Sequence, residues 1–247
     1  MIEIAKLSKS FGPHKVLTDI NTFFEKGKTN LIIGQSGSGK TVLMKCCTGL
    51  VEPDEGQVSF DNRNFSSISE KKRREIRKEM GVLFQGGALF DSLTVEQNVM
   101  FPLNMFTDKS MEEKLDRVNF CLQRVNLQNV NQLYPSEISG GMMKRVAIAR
   151  AISNSPNYLF CDEPNSGLDP KTAEVIDQLI SEITLEYGIT TVINTHDMNS
   201  VLQIGQRINF LYHGQLWWTG DKESILQTDN PELKDFVFST ELTRRLR

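Results

Sequence analysis

A run of eight residues combines the groups that bind a chain of phosphates. The run is Gly34, Gln35, Ser36, Gly37, Ser38, Gly39, Lys40 and Thr41, which matches the pattern G-x-x-x-x-G-K-[ST]. Glycines let backbone N–H groups turn inward around phosphates, and a following helix presents its positive end. Lys40 can neutralise the β- and γ-phosphates, and the Thr41 hydroxyl can ligate Mg²⁺. We therefore predict a site for a nucleoside triphosphate and Mg²⁺.

Two carboxylates form the second candidate group. The apolar run from Tyr158 to Cys161 ends in Asp162 and Glu163. Asp162 would hold Mg²⁺ beside Thr41, directly or through water. Glu163, one residue further on, could polarise an attacking water as general base. Acidic residues often end strands, so this pattern predicts hydrolysis only in combination with the phosphate loop.

A glycine pair before an apolar helix supplies a third pattern. Ile138-Ser139-Gly140-Gly141-Met142 precedes a helical run that contains Val146 to Ala151. With the phosphate loop and the carboxylates, it resembles the ABC ATPase family, whose signature is usually L-S-G-G-Q. Ile138 and Met142 depart from that signature, whereas Ser139, Gly140 and Gly141 match it. The resemblance covers about residues 1–220.

The resemblance implies roles for further residues. Gln85 matches a glutamine that senses Mg²⁺, and His196 matches the histidine that contacts the γ-phosphate and orients water. Asp169, at the end of Ser166-Gly167-Leu168-Asp169, matches a loop that crosses between subunits. Phe11 stands where the family commonly stacks a tyrosine on adenine; an ordinary core phenylalanine is the alternative.

The same resemblance implies a dimer as the working form. In the family, the signature of one subunit faces the phosphate loop of the other, so Ser139, Gly140, Gly141 and Asp169 would act in trans on ATP. The expected partners are therefore a second copy of this chain and integral membrane permease subunits. The expected activity is ATP hydrolysis coupled to transport.

One stretch bears on the kind of transporter. Residues 86–103, together with Met142, look like the ATPases of MCE-type phospholipid transporters, which implies an MCE-associated permease. Ala88, Leu89 and Phe90 would either receive a permease helix or merely pack the helical insertion. An ATPase of another importer or exporter and a regulator of cell division are the alternatives.

Apolar patterning places these residues on an α/β fold. Short strands come first, and the apolar strand Thr29 to Ile33 then leads through the loop into a helix over 41–50. This order predicts an antiparallel layer attached to the parallel-sheet core of a P-loop NTPase, RecA-like by resemblance, with a helical insertion over about 91–155. Core segments 1–90 and 156–220 complete the ATPase domain, and residues 221–247 form a tail ending in Arg244, Arg245 and Arg247.

Spacing gives more detail. Met111, Leu115, Val118, Leu122 and Val125 recur at helical steps, which places them on one helix face. Pro170 can start a helix, and Ile208 to Trp218 should form a hairpin around His213-Gly214.

The composition and charge of the chain argue against several classes of protein. With 28 basic and 31 acidic residues the net charge is −3, which gives no support to nucleic-acid binding. No apolar run reaches the ~20 residues that span a bilayer, and the N-terminus lacks a secretion signal. We expect a peripheral protein on the cytoplasmic face of the inner membrane, attached through its permease. The four cysteines are expected to be reduced core residues.

Overall fold

The computed structural model describes residues 1–238. The strands are β1 (Ile2–Phe11), β2 (His14–Phe24), β3 (Thr29–Ile33), β4 (Glu55–Phe60), β5 (Arg63–Asn64), β6 (Met80–Leu83), β7 (Tyr158–Asp162), β8 (Thr190–Thr195), β9 (Arg207–Tyr212) and β10 (Gln215–Gly220). The helices are α1 (Lys40–Thr48), α2 (Glu70–Lys78), α3 (Val95–Phe106), α4 (Met111–Arg124), α5 (Gly140–Ile152), α6 (Pro170–Tyr187), α7 (Met198–Ile204), α8 (Lys222–Leu226) and α9 (Pro231–Val237).

Two sheets organise the described part of the chain. The larger has the strand order β10-β9-β3-β8-β7-β6, in which only the β10–β9 pair is antiparallel. The smaller is antiparallel, with the order β2-β1-β4-β5. This arrangement confirms the expected antiparallel layer attached to a parallel core.

The central strands are buried on both faces, as a parallel sheet between helices requires. Every residue of β3 and of β8 is buried. In the parallel register Ile33 lies beside Thr195, and Asp162 lies beside Asn194. The loops after β3, β7 and β8 therefore leave the sheet at one edge, where α/β proteins commonly bind ligands.

The helical insertion consists of α3, α4 and α5. Thr94 and Ser110 form capping boxes at the starts of α3 and α4, which satisfy otherwise unpaired backbone N–H groups. Val118, Leu122 and Val125, from the predicted helix face, are buried. Met111 is the first residue of α4 and is largely exposed.

The segment after residue 220 packs against the larger sheet. Capping residues Asp221 and Asn230 start α8 and α9. These helices bury Ile225, Leu233 and Val237 in the same core cluster as β3 and α5. The described part of the predicted tail is thus packed structure, whereas Arg244, Arg245 and Arg247 lie outside the described residues.

The cysteines and the lengths of the helices complete the description of the fold. All four cysteines are buried and free of disulfides, as predicted, and burial raises the pKa of the Cys46 thiol to about 11. Within residues 1–238, no helix is both long enough and apolar enough to cross a bilayer.

Candidate functional site

An open cleft of about 850 Å³ lies at the sheet edge where β3, β7 and β8 end. Among the residues predicted for the site, nine line it: Gln35, Ser36, Gly37, Gly39, Lys40, Thr41, Gln85, Glu163 and His196. The fold therefore brings the phosphate loop together with the candidate base and histidine, although their segments are far apart in sequence.

Two glycines allow the phosphate loop its tight path. Gly34 and Gly39 have φ of 149° and 104°, a region that favours glycine. A Cβ at Gly34 would lie 2.3 Å from the Leu211 carbonyl oxygen, and one at Gly39 would lie 2.7 Å from Leu17 Cδ2. Side chains are thus excluded at both positions, and the loop can wrap closely beneath the start of α1.

Lys40 supplies a buried positive charge at the base of the cleft. Its Nζ donates to the carbonyl oxygens of Gly34 at 2.8 Å and Gln35 at 3.0 Å. Burial lowers the pKa of Lys40, while Glu163 and Asp162 act in the opposite direction. An anion in the cleft would repay this desolvation, because a buried ammonium gains most from a charged partner.

The buried Ser38 hydroxyl tests whether this loop fits a phosphate chain. Ser38 Oγ has no hydrogen-bond partner among the described residues, and such an orphaned group is costly unless a ligand satisfies it. The positive end of α1, the Lys40 ammonium and this free hydroxyl are complementary to phosphate oxygens. The residues fit the triphosphate of ATP.

A polar pair beside the loop fits Mg²⁺. Thr41 Oγ1 donates to Asp162 Oδ1 at 3.3 Å, and Asn194 Nδ2 donates to the same oxygen at 2.9 Å. In residues 1–238 no three His, Cys, Asp or Glu side chains are grouped to hold a metal. This sparse donor set suits Mg²⁺, which commonly takes one or two protein ligands together with phosphate oxygens and water. When bound, Mg²⁺ would neutralise phosphate charge.

Glu163 is held between two side chains at the mouth of the cleft. Gln85 Nε2 donates to Glu163 Oε2 at 2.9 Å, and His196 Nδ1 lies 2.9 Å from Glu163 Oε1. Glu163 also has a φ of +46°, a strained conformation that is often found at functional sites. An anchored carboxylate of this kind can accept a proton from water, and His196 can fix its orientation.

The loop after Gln85 is tied to α5 by two basic residues. Lys144 Nζ donates to the Gln85 carbonyl oxygen. The Arg150 guanidinium donates to the carbonyl oxygens of Gly87 and Ala88, each at 2.7 Å. Charge-assisted bonds of this type are stronger than neutral ones, so the helical insertion and the cleft wall are coupled. Sequence reasoning did not identify this clamp.

The signature residues lie at the start of α5, outside the cleft formed by the described part of this chain. Ser139 is the N-cap and accepts from the Met142 N–H at 3.3 Å, while Gly140 and Gly141 form the first turn. A Cβ on Gly141 would lie 2.9 Å from Thr172 Cγ2 on α6. The signature therefore packs beside the start of α6, where Asp169 is the N-cap.

The wall around the predicted adenine position contains residues that the sequence did not indicate. Phe11 pairs with His14 across the β1–β2 turn, and its ring is about half exposed with Lys9 Nζ 5.4 Å from its centre. His14 and Val16 line the cleft, whereas Phe11 is not among the lining residues within the described chain. Stacking of Phe11 on adenine stays a prediction.

Asp235 and Phe236 of α9 also line the cleft. The Phe236 ring lies 5.5 Å from that of Phe210 on β9. Sequence reasoning missed both residues because the segment after 220 carries only a weak apolar pattern.

Known proteins match this chain over most of its length. A family model described as ABC transporter matches residues 17–166. The methionine import ATP-binding protein MetN of Campylobacter jejuni is 37% identical, with 96% of this chain and 75% of MetN covered. The probable ribonucleotide transport ATP-binding protein mkl of Mycobacterium leprae is also 37% identical, with 96% of this chain and 68% of that protein covered.

Solved structures agree with the sequence comparisons. A bacterial ABC transporter cassette, solved as a dimer and in a dimeric post-hydrolysis state with ADP and Pi, has a TM-score of 0.82 at 33% identity, covering 90% of this chain and 99% of that one. The cbiO1 protein of Clostridium perfringens, part of the transporter complex cbiONQ, has a TM-score of 0.85 at 27% identity, covering 99% and 98%. Because the family model spans more than half of the chain and 37% identical relatives span nearly all of it, the chain belongs to the ATP-binding subunits of ABC transporters and is an ATPase that binds ATP with Mg²⁺.

Proposed function

We propose that two copies of this chain close around ATP and drive a membrane permease that moves phospholipids between membranes. The observation that carries the coupling step is an apolar groove of about 710 Å³ beside Gln85. Its apolar lining includes Phe84, Ala88, Phe90, Phe101, Pro102 and Met105.

The dimer is supported by the position of the signature. Ser139, Gly140 and Gly141 present the start of α5 away from the cleft of their own chain. A helix start with small residues attracts anions, and a second copy would bring this helix start to the γ-phosphate. In this arrangement ATP favours the closed dimer, and loss of the γ-phosphate after hydrolysis favours opening.

The groove is suited to a permease helix. The Phe90 and Phe101 rings lie 4.7 Å apart and both are partly exposed. Contiguous exposed apolar patches often mark interaction sites. Of the three residues predicted to receive a permease helix, Ala88 and Phe90 line the groove, whereas Leu89 packs against the core. Ala88 and Arg150 both line the groove, and Arg150 donates to the carbonyl oxygens of Gly87 and Ala88. An occupant of the groove would therefore contact the same loop that carries Gln85.

The expected location follows from this attachment. The ATPase would sit peripherally on the cytoplasmic face of the inner membrane, held there by the permease. The proposal of phospholipid as cargo, and of an MCE-associated permease, comes from the resemblance of residues 86–103. The names of the relatives favour methionine or ribonucleotide as competing cargoes.

A matched pair of variants tests the coupling. Phe101→Asp places a charge in the groove, whereas Phe120→Asp changes an aromatic residue of similar exposure on α4 that does not line it; the two side chains are 37% and 45% exposed. We expect Phe101→Asp to lose its permease during purification from membranes but to bind ATP with wild-type affinity. Phe120→Asp should keep both its permease and its ATP affinity. Equal retention of the permease by both variants would reject the groove as the docking site.

The cargo is tested on the wild-type complex. We expect mass spectrometry to find an MCE-domain protein and bound phospholipid with the purified chain and its permease. A complex that contains a solute-binding protein and no lipid, with ATPase activity stimulated by methionine or a ribonucleotide, would overturn phospholipid as the cargo.

A further inference from the structure

Three buried polar side chains from separate segments meet at the wall of a second open pocket, which Asn165 and Asp177 help to line. Asp177 on α6 is 2% exposed, and Ser200 on α7 and Asn165 after β7 are also buried. Asn165 Nδ2 donates to Ser200 Oγ at 2.7 Å and to Asp177 Oδ2 at 3.2 Å. Ser200 Oγ in turn donates to Asp177 Oδ2 at 2.5 Å. We call Asn165, Asp177 and Ser200 the anchor cluster.

The anchor cluster joins the two loops that carry the candidate base and the histidine. Asn165 follows Glu163 by two residues, and Ser200 follows His196 by four. Asn165 Nδ2 also lies 3.4 Å from Oδ2 of Asp197, the residue next to His196. The 2.9 Å contact between Glu163 and His196 therefore spans the same two loops that the anchor cluster fixes to α6.

Burying the Asp177 carboxyl in the anchor cluster is energetically unfavourable. Burial raises the pKa of Asp177 to about 6, with Asp197 adding to the effect and the bonds from Ser200 and Asn165 opposing it. Asp177 Oδ1 has no hydrogen-bond partner among the described residues. Replacing a whole buried polar cluster with apolar residues of similar volume is often neutral or stabilising, and such clusters are retained in some proteins because they specify one geometry.

We propose that Asp177 is a positioning residue for ATP hydrolysis. Through Asn165 and Ser200 it fixes the distance between Glu163 and His196, and it anchors the start of the loop that ends at Asp169. The inference rests on the role of Glu163 as base in the proposed function. Because the hydrogen bonds of such a network support one another, removing Asp177 frees both loops at once without touching the phosphate loop.

Two variants on one helix separate positioning from stability. Asp177→Leu replaces the carboxylate with an apolar side chain of similar size. The matched control is Thr184→Val, which removes a different buried polar group of α6, a hydroxyl that contacts Thr191 and the Ile180 carbonyl oxygen away from the cleft. We expect Asp177→Leu to lower kcat by about tenfold to a hundredfold, the effect of a displacement of about 1 Å. ATP affinity should stay near wild type, and Thr184→Val should keep its kcat. The thermal midpoint should fall in both variants, because each leaves a buried polar partner without its hydrogen bond.

A double-mutant cycle supplies a readout that a purely structural role would not change. In a His196→Ala background, Asp177→Leu should lower single-turnover hydrolysis much less than in wild type, because the contact that it positions is already absent. Ser200→Ala, which deletes one oxygen atom, should reproduce a smaller loss in kcat and serves if Asp177→Leu does not fold.

The two proposals fail in different ways. Wild-type turnover in Glu163→Gln would reject the assignment of the base. If Glu163→Gln loses turnover while Asp177→Leu and Ser200→Ala keep wild-type kcat, the positioning role is wrong. An equally large effect of Asp177→Leu with and without His196 would also overturn it.

Discussion

Asp177→Asn should change how the stability of this protein depends on pH. In the folded protein burial raises the pKa of Asp177 from its ordinary value of 3.8 to about 6. A folded-state pKa above the unfolded one contributes stability below pH 3.8, and this contribution is lost as pH rises through about 6. Asn does not titrate, so the variant lacks this loss.

The magnitude follows from the two pKa values. The Asp177 carboxyl has a pKa of 3.8 in the unfolded chain and about 6 in the folded protein. Between about pH 4.5 and about pH 7.5, the unfolding free energy of wild type should therefore fall by about 2 kcal/mol relative to that of Asp177→Asn. The absolute difference at either pH depends on how the Asn amide is satisfied. Its change with pH isolates the Asp177 carboxyl, because the other titrating groups are common to both proteins.

Urea unfolding of the nucleotide-free proteins measures this change. The two pH values lie on either side of the isoelectric point near 5.7, where a protein without net charge tends to associate. If the difference in unfolding free energy between wild type and Asp177→Asn is the same at both pH values within about 0.5 kcal/mol, the pKa of Asp177 is not raised in the folded protein. A wild type that gains stability relative to the variant as pH rises would rule out a raised pKa too, since Asp177 would then be stabilised as an anion.

Two further predictions concern basic residues. Lys40→Ala should weaken ATP binding at least about a hundredfold in a fluorescent-nucleotide titration, because a buried charge opposite the phosphates is lost. The control Lys45→Ala, on the exposed side of α1, should bind ATP normally. Similar ATP affinities of the two variants would contradict the assigned site. Arg150→Leu should lower the unfolding free energy by about 2–4 kcal/mol in urea, since two charge-assisted bonds are lost. Arg150→Lys should recover only part of it, because an ammonium cannot present two parallel donors, and full recovery would argue against the clamp.

The sequence predicted the elements whose pattern is local. The phosphate loop with its flanking strand and helix, the helix started by Pro170, and the hairpin around His213 and Gly214 all occur as expected. In each case the informative residues are adjacent in the chain. Met111 shows the limit: its spacing matches that of the buried Val118 and Leu122, yet as the first residue of α4 it is largely exposed.

Contacts between distant segments could not be predicted. Arg150 meets Gly87 and Ala88 only after the insertion folds back on the loop. Asn165 and Asp177 are brought together with Ser200 by the packing of α6 against α7. Nothing in the local pattern of these residues distinguishes them from surface polar positions, so their roles appear only in three dimensions.

The core of α8 and α9 illustrates the same point. Ile225 and Leu233 are buried completely, yet the helices that carry them are too short to show a periodic apolar face. Their burial depends on the surface that the larger sheet offers. A segment of weak pattern thus places Asp235 in the wall of the nucleotide cleft.

The oligomeric state of Glu163→Gln with ATP directly tests whether two copies of this chain close around the nucleotide. Gln keeps the shape of Glu163 but cannot accept a proton from water, and Glu112→Gln on the exposed face of α4 is the control. By size-exclusion chromatography with light scattering, we expect Glu163→Gln with MgATP to have twice the mass of the 28.0 kDa chain and to retain unhydrolysed ATP. A Glu163→Gln protein that hydrolyses ATP at the wild-type rate, or that stays monomeric with ATP bound, would contradict this expectation.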